Sequence, residues 1–469
     1  MRQSGISLKY ADITLRKNRE ICYASIINNG LSLAFVDTEL RKDKELVMAA
    51  IRQNPLALEY VDKSLQKDRA VVSLAVNGDG RALRFADESL KHDRQIVLEA
   101  CRNNGNALEF VSLRFVPTYL SYEDMYDIVM TSVLQNGLAL RFGSLAIKMD
   151  RDIVLAAIKS AESSEDDEVL KYADVSLRKD REIVSYAVSR SGKALKYADI
   201  ELRKEKEIVM VAVQQYPSAL EFAHPSMQKD REVVASAVSQ DGRALQFAHE
   251  SMKQDREIVL VACKNCGGAM EFASQSTGIS LRNDRELALL AVERDGMALR
   301  HLDAAMRSDR AVVEAALKQN GLALQYVGDA SLKRNKDIAL QAVRQNGLAV
   351  EFIDETLHSD RDVVEEAVIN NALALKFADA TLKSDRSIAK IAVAQNGLSL
   401  EFVGKSLVED PEIVAVAASR HSEALKFAFE DSKPFERFKA EHEGKISVLY
   451  YRLTSILTIA YIILTSSNL

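Results

Sequence analysis

Cys263-Lys264-Asn265-Cys266 has the spacing of half a structural zinc site or of a dithiol redox pair. A structural zinc takes four ligands, and no second half completes the set; the other two cysteines are Cys22 and Cys101. The seven histidines (His92, His224, His249, His301, His358, His421 and His442) are dispersed and form neither H-E-x-x-H nor a ligand pair. No P-loop, G-x-S-x-G elbow or kinase set is present. The expectation is therefore a protein that is not an enzyme and that has no catalytic residues, metal site or cofactor.

Two regular ladders invite chemistry of another kind. An aromatic recurs at Tyr10, Phe35, Tyr60, Phe85, Phe110, Phe142, Tyr172, Tyr197, Phe222, Phe247, Phe272, Tyr326, Phe352, Phe377, Phe402 and Phe427, with His301 as the lone substitute. One ring per layer could stack bases, as helical-repeat RNA readers do. Phe and Tyr alternate freely here, which suits a buried or half-buried packing ridge better. The slot before each ring holds Lys or Arg in some copies but Glu59, Glu109, Glu221, Glu271, Glu351 and Glu401 in others, so no basic track forms. A carboxylate ladder runs through Asp12, Asp37, Asp62, Asp87, Asp174, Asp199, Asp303, Asp354 and Asp379. A hard cation needs several oxygens at one point, whereas helical layers about 9 Å apart hold these carboxylates separate. A cap or turn before the following Ser/Thr-Leu is the expected role.

The ladders exist because one unit is copied along the chain. Starts fall at Asn18, Asp43, Asp68, Asp93, Met125, Asp150, Asp180, Glu205, Asp230, Asp255, Asp284, Asp309, Asn335, Asp360, Asp385 and Asp410; eleven of the fifteen gaps are 25 residues, and the others are 32, 30, 29 and 26. The unit reads D-R-E-I-V-x-x-A-V-x-x-N-G-x-A-L-x-F-A-D-x-S-L-K-x. In Asp360 to Val368 the apolar residues stand at offsets 3, 4, 7 and 8, one face of a helix. The leading Asp is a good N-cap and the acid two residues later suits the helix dipole. Asn-Gly, as at Asn346-Gly347, predicts that this first helix stops after about three turns, with Gly taking the left-handed conformation that ends a helix. Leu375, Ala378 and Leu382 then keep helical spacing, predicting a short second helix broken at the Asp. The rival is a β-hairpin at Asn-Gly, but the flanking period is near 3.6, not 2.

One narrow apolar stripe cannot fold alone, so neighbours must stack. The expected fold class is all-α: a superhelical α-solenoid of about sixteen 25-residue two-helix repeats with a C-terminal apolar helix, its path on the order of 140 Å. Residues 1–17 read as a half-repeat N-terminal cap, because Ile6 to Asp12 matches a second helix with no first helix ahead of it. Residues 18–430 are the tandem repeats, with insertions near 112–124, 162–166 and 275–279, and 431–469 a charged linker and the apolar helix. Any domain break is expected near 112–124 and 161–168. The acidic run Glu162 to Glu168 reads as a solvated loop or a docking element for a basic partner.

These units, exemplified by Asp385-Arg386-Ser387-Ile388-Ala389 and Asn396-Gly397-Leu398-Ser399-Leu400-Glu401-Phe402-Val403, resemble a repeat family known only as a domain of unknown function. That family is seen in protists and some intracellular bacteria, and the resemblance covers about residues 6–430. It implies no activity, cofactor or catalytic residue; it implies an effector-like or scaffold role by analogy alone.

Composition agrees with a folded water-soluble chain: 469 residues, 47% hydrophobic, 28% charged, with 19 Gly and 6 Pro. A formal charge of -6 gives no general attraction to phosphate backbones, so nucleic acid is a poor match. The start has no apolar signal core and the four cysteines suit a reducing compartment, so the cytosol is the expected location. Outside the repeats, the uncharged run from Leu453 to Leu469 reads either as a cap on the last layer or as a tail meeting a membrane. Tyr450, Tyr451, Arg452, Leu453, Ile456, Leu457, Ile459, Tyr461, Ile462, Ile463 and Leu464 are the candidate membrane contacts. The functional expectation is a protein-protein interaction scaffold, with a membrane-tethered adaptor and an RNA-binding helical repeat as alternatives.

Overall fold

The structure is a computed structural model that describes residues 5–111, 121–161, 168–274 and 280–428. Phe115 to Leu120, the acidic run from Glu162 to Asp167, Gln275 to Ile279, and the C-terminal segment with all the candidate membrane contacts from Tyr450 to Leu464 lie outside the described residues. Among the described residues the regular elements are all helical, making an all-α repeat solenoid.

Each repeat start is followed at once by a long helix, such as Lys44–Gln53, Arg181–Arg190 and Arg361–Asn370, each of ten residues, the three turns expected. The leading Asp caps it: Asp360 Oδ1 accepts from the amides of Asp362 and Val363 at 3.0 and 3.2 Å. One start needs correction. The sixteen-fold spacing puts a start at Met125, but the helix there runs Tyr122–Gln135, capped by Ser121 in a capping box with Asp124. Part of the first insertion therefore adds a turn to the helix instead of forming a loop.

The second half of the unit is helical and is broken at the Asp, as expected, but its first piece is a 3-10 segment. It is a six-residue 3-10 segment, such as Ala372–Phe377, then two extended residues, Ala378 and Asp379, then a separate short turn such as Ala380–Lys383. In most of the described units the second helix is thus two short pieces. Six residues are too few for an α-helix to recover its nucleation cost. The break also frees a backbone amide: Asp379 N donates to His358 O at 2.9 Å, Asp199 N to Arg178 O at 3.0 Å and Asp62 N to Arg41 O at 3.3 Å. At most of the described steps one main-chain hydrogen bond thus joins a unit to the one before it. At the 26-residue gap the duties separate: Gly328 N donates to Arg307 O, while Asp329 caps Ala330–Lys333.

The Asn-Gly pair also acts otherwise than expected. Asn346 is extended, with φ -149°, and its side chain caps the 3-10 segment through the Leu348 amide. Gly is needed for close approach, not for a left-handed turn: a Cβ on Gly347 would stand 2.3 Å from the Ala367 carbonyl oxygen of the next helix.

The core is a nearest-neighbour core. Val312, Val313, Ala316 and Leu317 of one helix and Ala323 and Leu324 of its 3-10 segment are fully buried, and the same offsets are buried along the chain. The chain divides into two compact units, Met1–Ser236 and Ala237–Leu469, so the division falls at neither of the expected breaks. Within each, repeats pack in sequence order. At the start, Gly5–Tyr10 and Ile13–Arg16 take the conformation of the second half of a unit, with Tyr10 81% exposed.

Candidate functional site

The D-R-E triplet that opens each unit is an inter-repeat staple. Arg19 reaches forward to Asp43 and Glu45 of the next unit, both at 2.6 Å. Arg181 does the same with Glu205 and Glu207, Arg256 with Asp284 and Glu286, and Arg386 with Asp410 and Glu412. Lys44, Lys206 and Lys336 serve where Arg is absent. At the irregular unit, Arg94 pairs with Asp124 at 2.7 Å and Asp127 at 2.5 Å, so Asp124 replaces the missing Asp at Met125. Each pair is solvent-exposed and individually worth at most about 1 kcal/mol. The row was invisible in a single unit because its partners stand 24 and 26 residues apart.

A second staple lies at the other end of the long helix. Gly80 N donates to Asn103 Oδ1 at 2.8 Å, and Asn103 Nδ2 donates back to Asn77 O at 2.9 Å. Gly347, Asn370 and Arg344 repeat this arrangement at 2.6 and 2.9 Å. Where Pro55 removes the N–H, the amide slot of the next unit is Gly78, on which a Cβ would meet Pro55 Cγ at 2.5 Å.

The carboxylate ladder performs the capping expected of it. Asp87 Oδ1 accepts from the Ser89 amide and hydroxyl at 3.1 and 2.7 Å; Asp174 with Ser176 and Asp379 with Thr381 do the same. His224 and His249 substitute by accepting at Nδ1 from Ser226 N and Ser251 N, both at 3.1 Å. Hydrogen bonds from the Thr356 hydroxyl and from Arg334 pull the Asp354 carboxyl down to about 2. Arg361 and Ser387 hold Asp385 well below the usual range, and Arg19 does the same for Asp43. These folded-state values lie below an unfolded value of about 3.8, so the carboxylates stabilise the fold fully above about pH 4. That stabilisation is lost as pH falls through the folded values. The thermal midpoint, followed by far-ultraviolet circular dichroism, should stay level between about pH 7 and 5 and fall steeply between about pH 4 and 2. A midpoint that holds steady down to about pH 2 would show that the caps do not stabilise the fold.

The aromatic ladder is a half-buried ridge, with only Tyr10 fully exposed. Several rings carry a neighbouring cation: Arg141 lies 4.4 Å from the Phe142 centroid, and Lys196 5.8 Å from both Tyr197 and Phe222. Cys263 is buried in the long helix Arg256–Asn265, and burial pushes its thiol up to about 12; burial likewise takes Cys101 up to about 11. Cys266 stands in the Asn slot, half-buried and unbridged. Among the described residues no group of three or more His, Cys, Asp or Glu is placed to hold a metal ion, and no helix is long and apolar enough to cross a membrane. One hollow of about 430 Å³ opens between Lys318, Asp337, Leu340, Gln341, Arg344 and Gln345, wide open to solvent.

The family described as Domain of unknown function (DUF4116) matches residues 1–41, 18–66, 43–91, 68–115, 126–178, 164–203, 180–228, 230–277, 284–333, 335–383 and 385–433. The chain belongs to this family. Most DUF4116 matches begin at a unit start, at 18, 43, 68, 180, 230, 284, 335 and 385, and most span about two units. A DUF4116 match thus takes in the contact between one layer and the next, where the ion-pair and amide staples sit. No curated protein matches the chain.

Proposed function

We propose that the chain is a non-catalytic scaffold that binds a protein partner along several consecutive layers. The observation that carries this reading is a division of labour within the unit. The recurring polar residues are engaged inside the array: the D-R-E triplet and the amide hold layers together, and the Asp caps its own turn. The slots that vary from copy to copy point to solvent: the residue before each ring is Arg84, Lys196, Glu351 or Lys376, all exposed. Such a surface offers a partner a different side chain at each layer on a constant frame. A membrane-tethered adaptor is the second reading, carried by the uncharged run Leu453 to Leu469.

Photo-crosslinking in the native cell tests the first. With a benzophenone amino acid placed singly at Arg84, Lys196 and Lys376, we expect adducts with the same protein from at least two sites. An absence of protein adducts at all three would refute the scaffold reading.

A further inference from the structure

We infer that the hollow between Lys318 and Arg344 is a docking site for an amphipathic helix that carries an acid and a base two turns apart. The site lies on the long helices, apart from the varying slots before the rings, and goes beyond the surface on which the scaffold reading rests.

The hollow opens at a step where the ion-pair staple is not made. The starts at Asp309 and Asn335 are 26 residues apart, and the second is Asn in place of Asp. Asn335 still caps its helix, accepting from Asp337 N at 3.0 Å, but it offers the preceding unit no charge. Arg310, which holds the forward-reaching position, pairs instead with Glu314 of its own helix at 2.7 Å. Asp337, the acid two residues past the start, is left exposed. In the next unit that slot is Asp362, held by Lys336 at 2.6 Å, and in an early one Glu45, held by Arg19 at 2.6 Å. Arg344, which also lines the hollow, is already paired with Glu366 at 3.2 Å. Among the described residues neither Asp337 nor Lys318 has a side-chain partner, so with every internal ion pair discounted the lining keeps one free charge of each sign.

The geometry sets what can meet these charges. Asp337, Leu340, Gln341 and Arg344 stand at i, i+3, i+4 and i+7 of the helix Lys336–Gln345, one stripe about 10.5 Å long. Lys318 stands in the last turn of Arg310–Gln319, which packs against that helix. The hollow of about 430 Å³ is therefore acidic at one end and basic at the other, with Leu340 half-buried between them. Its amides are already engaged in joining the layers: Gln341 Nε2 donates to Glu314 O at 2.8 Å and Gln345 Nε2 to Gln319 O at 3.1 Å. A helix laid in a groove offers anchors with the same i, i+4, i+7 repeat. Running antiparallel to Lys336–Gln345, it sets Glu against Lys318, Leu over Leu340 and Lys against Asp337. That order also places its acid toward its own N-terminus and its base toward its C-terminus, as the helix dipole favours. A phosphate backbone or an anionic bilayer would instead bring negative charge against Asp337.

The test uses the full chain and a fluorescein-labelled synthetic helical peptide with Glu, Leu and Lys at i, i+4 and i+7, read by fluorescence anisotropy. Binding should weaken about fivefold in Lys318→Glu and in Asp337→Lys, both exposed positions. In the Lys318→Glu, Asp337→Lys double variant it should be lost for this peptide and recovered for a second peptide with its Glu and Lys exchanged. Lys376→Glu should leave it unchanged. An absence of saturable binding at about 1 mM chain overturns the proposal. So does failure of the exchanged peptide to recover binding on the double variant, or a loss in Lys376→Glu as large as in the single variants. Tighter binding of a peptide with Glu at both charged positions would mark a plain anion site and overturn it as well.

Discussion

Gly347→Val should lower the free energy of local opening around residues 336–377 by about 3 kcal/mol, the upper part of the range for overpacking a tight contact. The Cβ would stand 2.3 Å from Ala367 O and 2.9 Å from Asn371 N. Moving the layers apart also weakens the 2.6 Å bond from Gly347 N to Asn370 Oδ1. Ala372 and Pro55 stand in the same slot of other units, so a single Cβ can be met by a small separation of layers. Two added γ-carbons have no such route, and Gly347→Ala should accordingly cost less, about 1 kcal/mol. Hydrogen exchange read by mass spectrometry measures both; unchanged protection in the Val variant would refute the contact.

Leu324→Ala should cost a similar amount, about 3 kcal/mol, for a different reason: it leaves a cavity. Leu324 is fully buried on the 3-10 segment Gly321–Tyr326, which packs between the long helices Arg310–Gln319 and Lys336–Gln345 and against the next 3-10 segment. Because each unit touches only its neighbours, exchange should rise over residues 310–352 and stay unchanged near residues 411–424. A loss spread evenly to residue 424, or one below about 1 kcal/mol, would show that the core is not a nearest-neighbour one.

The long helices and the carboxylate caps were legible from a single unit. Asp360 bonds amides two and three residues ahead, and Asp379 bonds Thr381, so both partners fall inside one short window. Other features were misread because local rules fit two outcomes. Leu375, Ala378 and Leu382 have helical spacing whether the piece before the break at the Asp is α-helical or a 3-10 segment. Asn-Gly fits a left-handed helix end and also an extended Asn with a closely packed Gly. The D-R-E triplet looked like a cap and a dipole partner, and its Arg had no visible task. That task lies on the following unit, as in Arg285 to Asp309 at 2.9 Å.

The sequence by itself determined the period, the starts of nearly all the long helices, the buried offsets and the Asp caps, since apolar spacing and capping act within a few residues. Tertiary structure alone decided how one layer holds the next. The bond from Asp379 N to His358 O, the clamp of Asn370 on Gly347 and the reach of Arg361 to Asp385 join groups 21 to 24 residues apart in sequence. Such pairings depend on where stacking places the neighbouring unit, and no propensity inside one unit encodes that position.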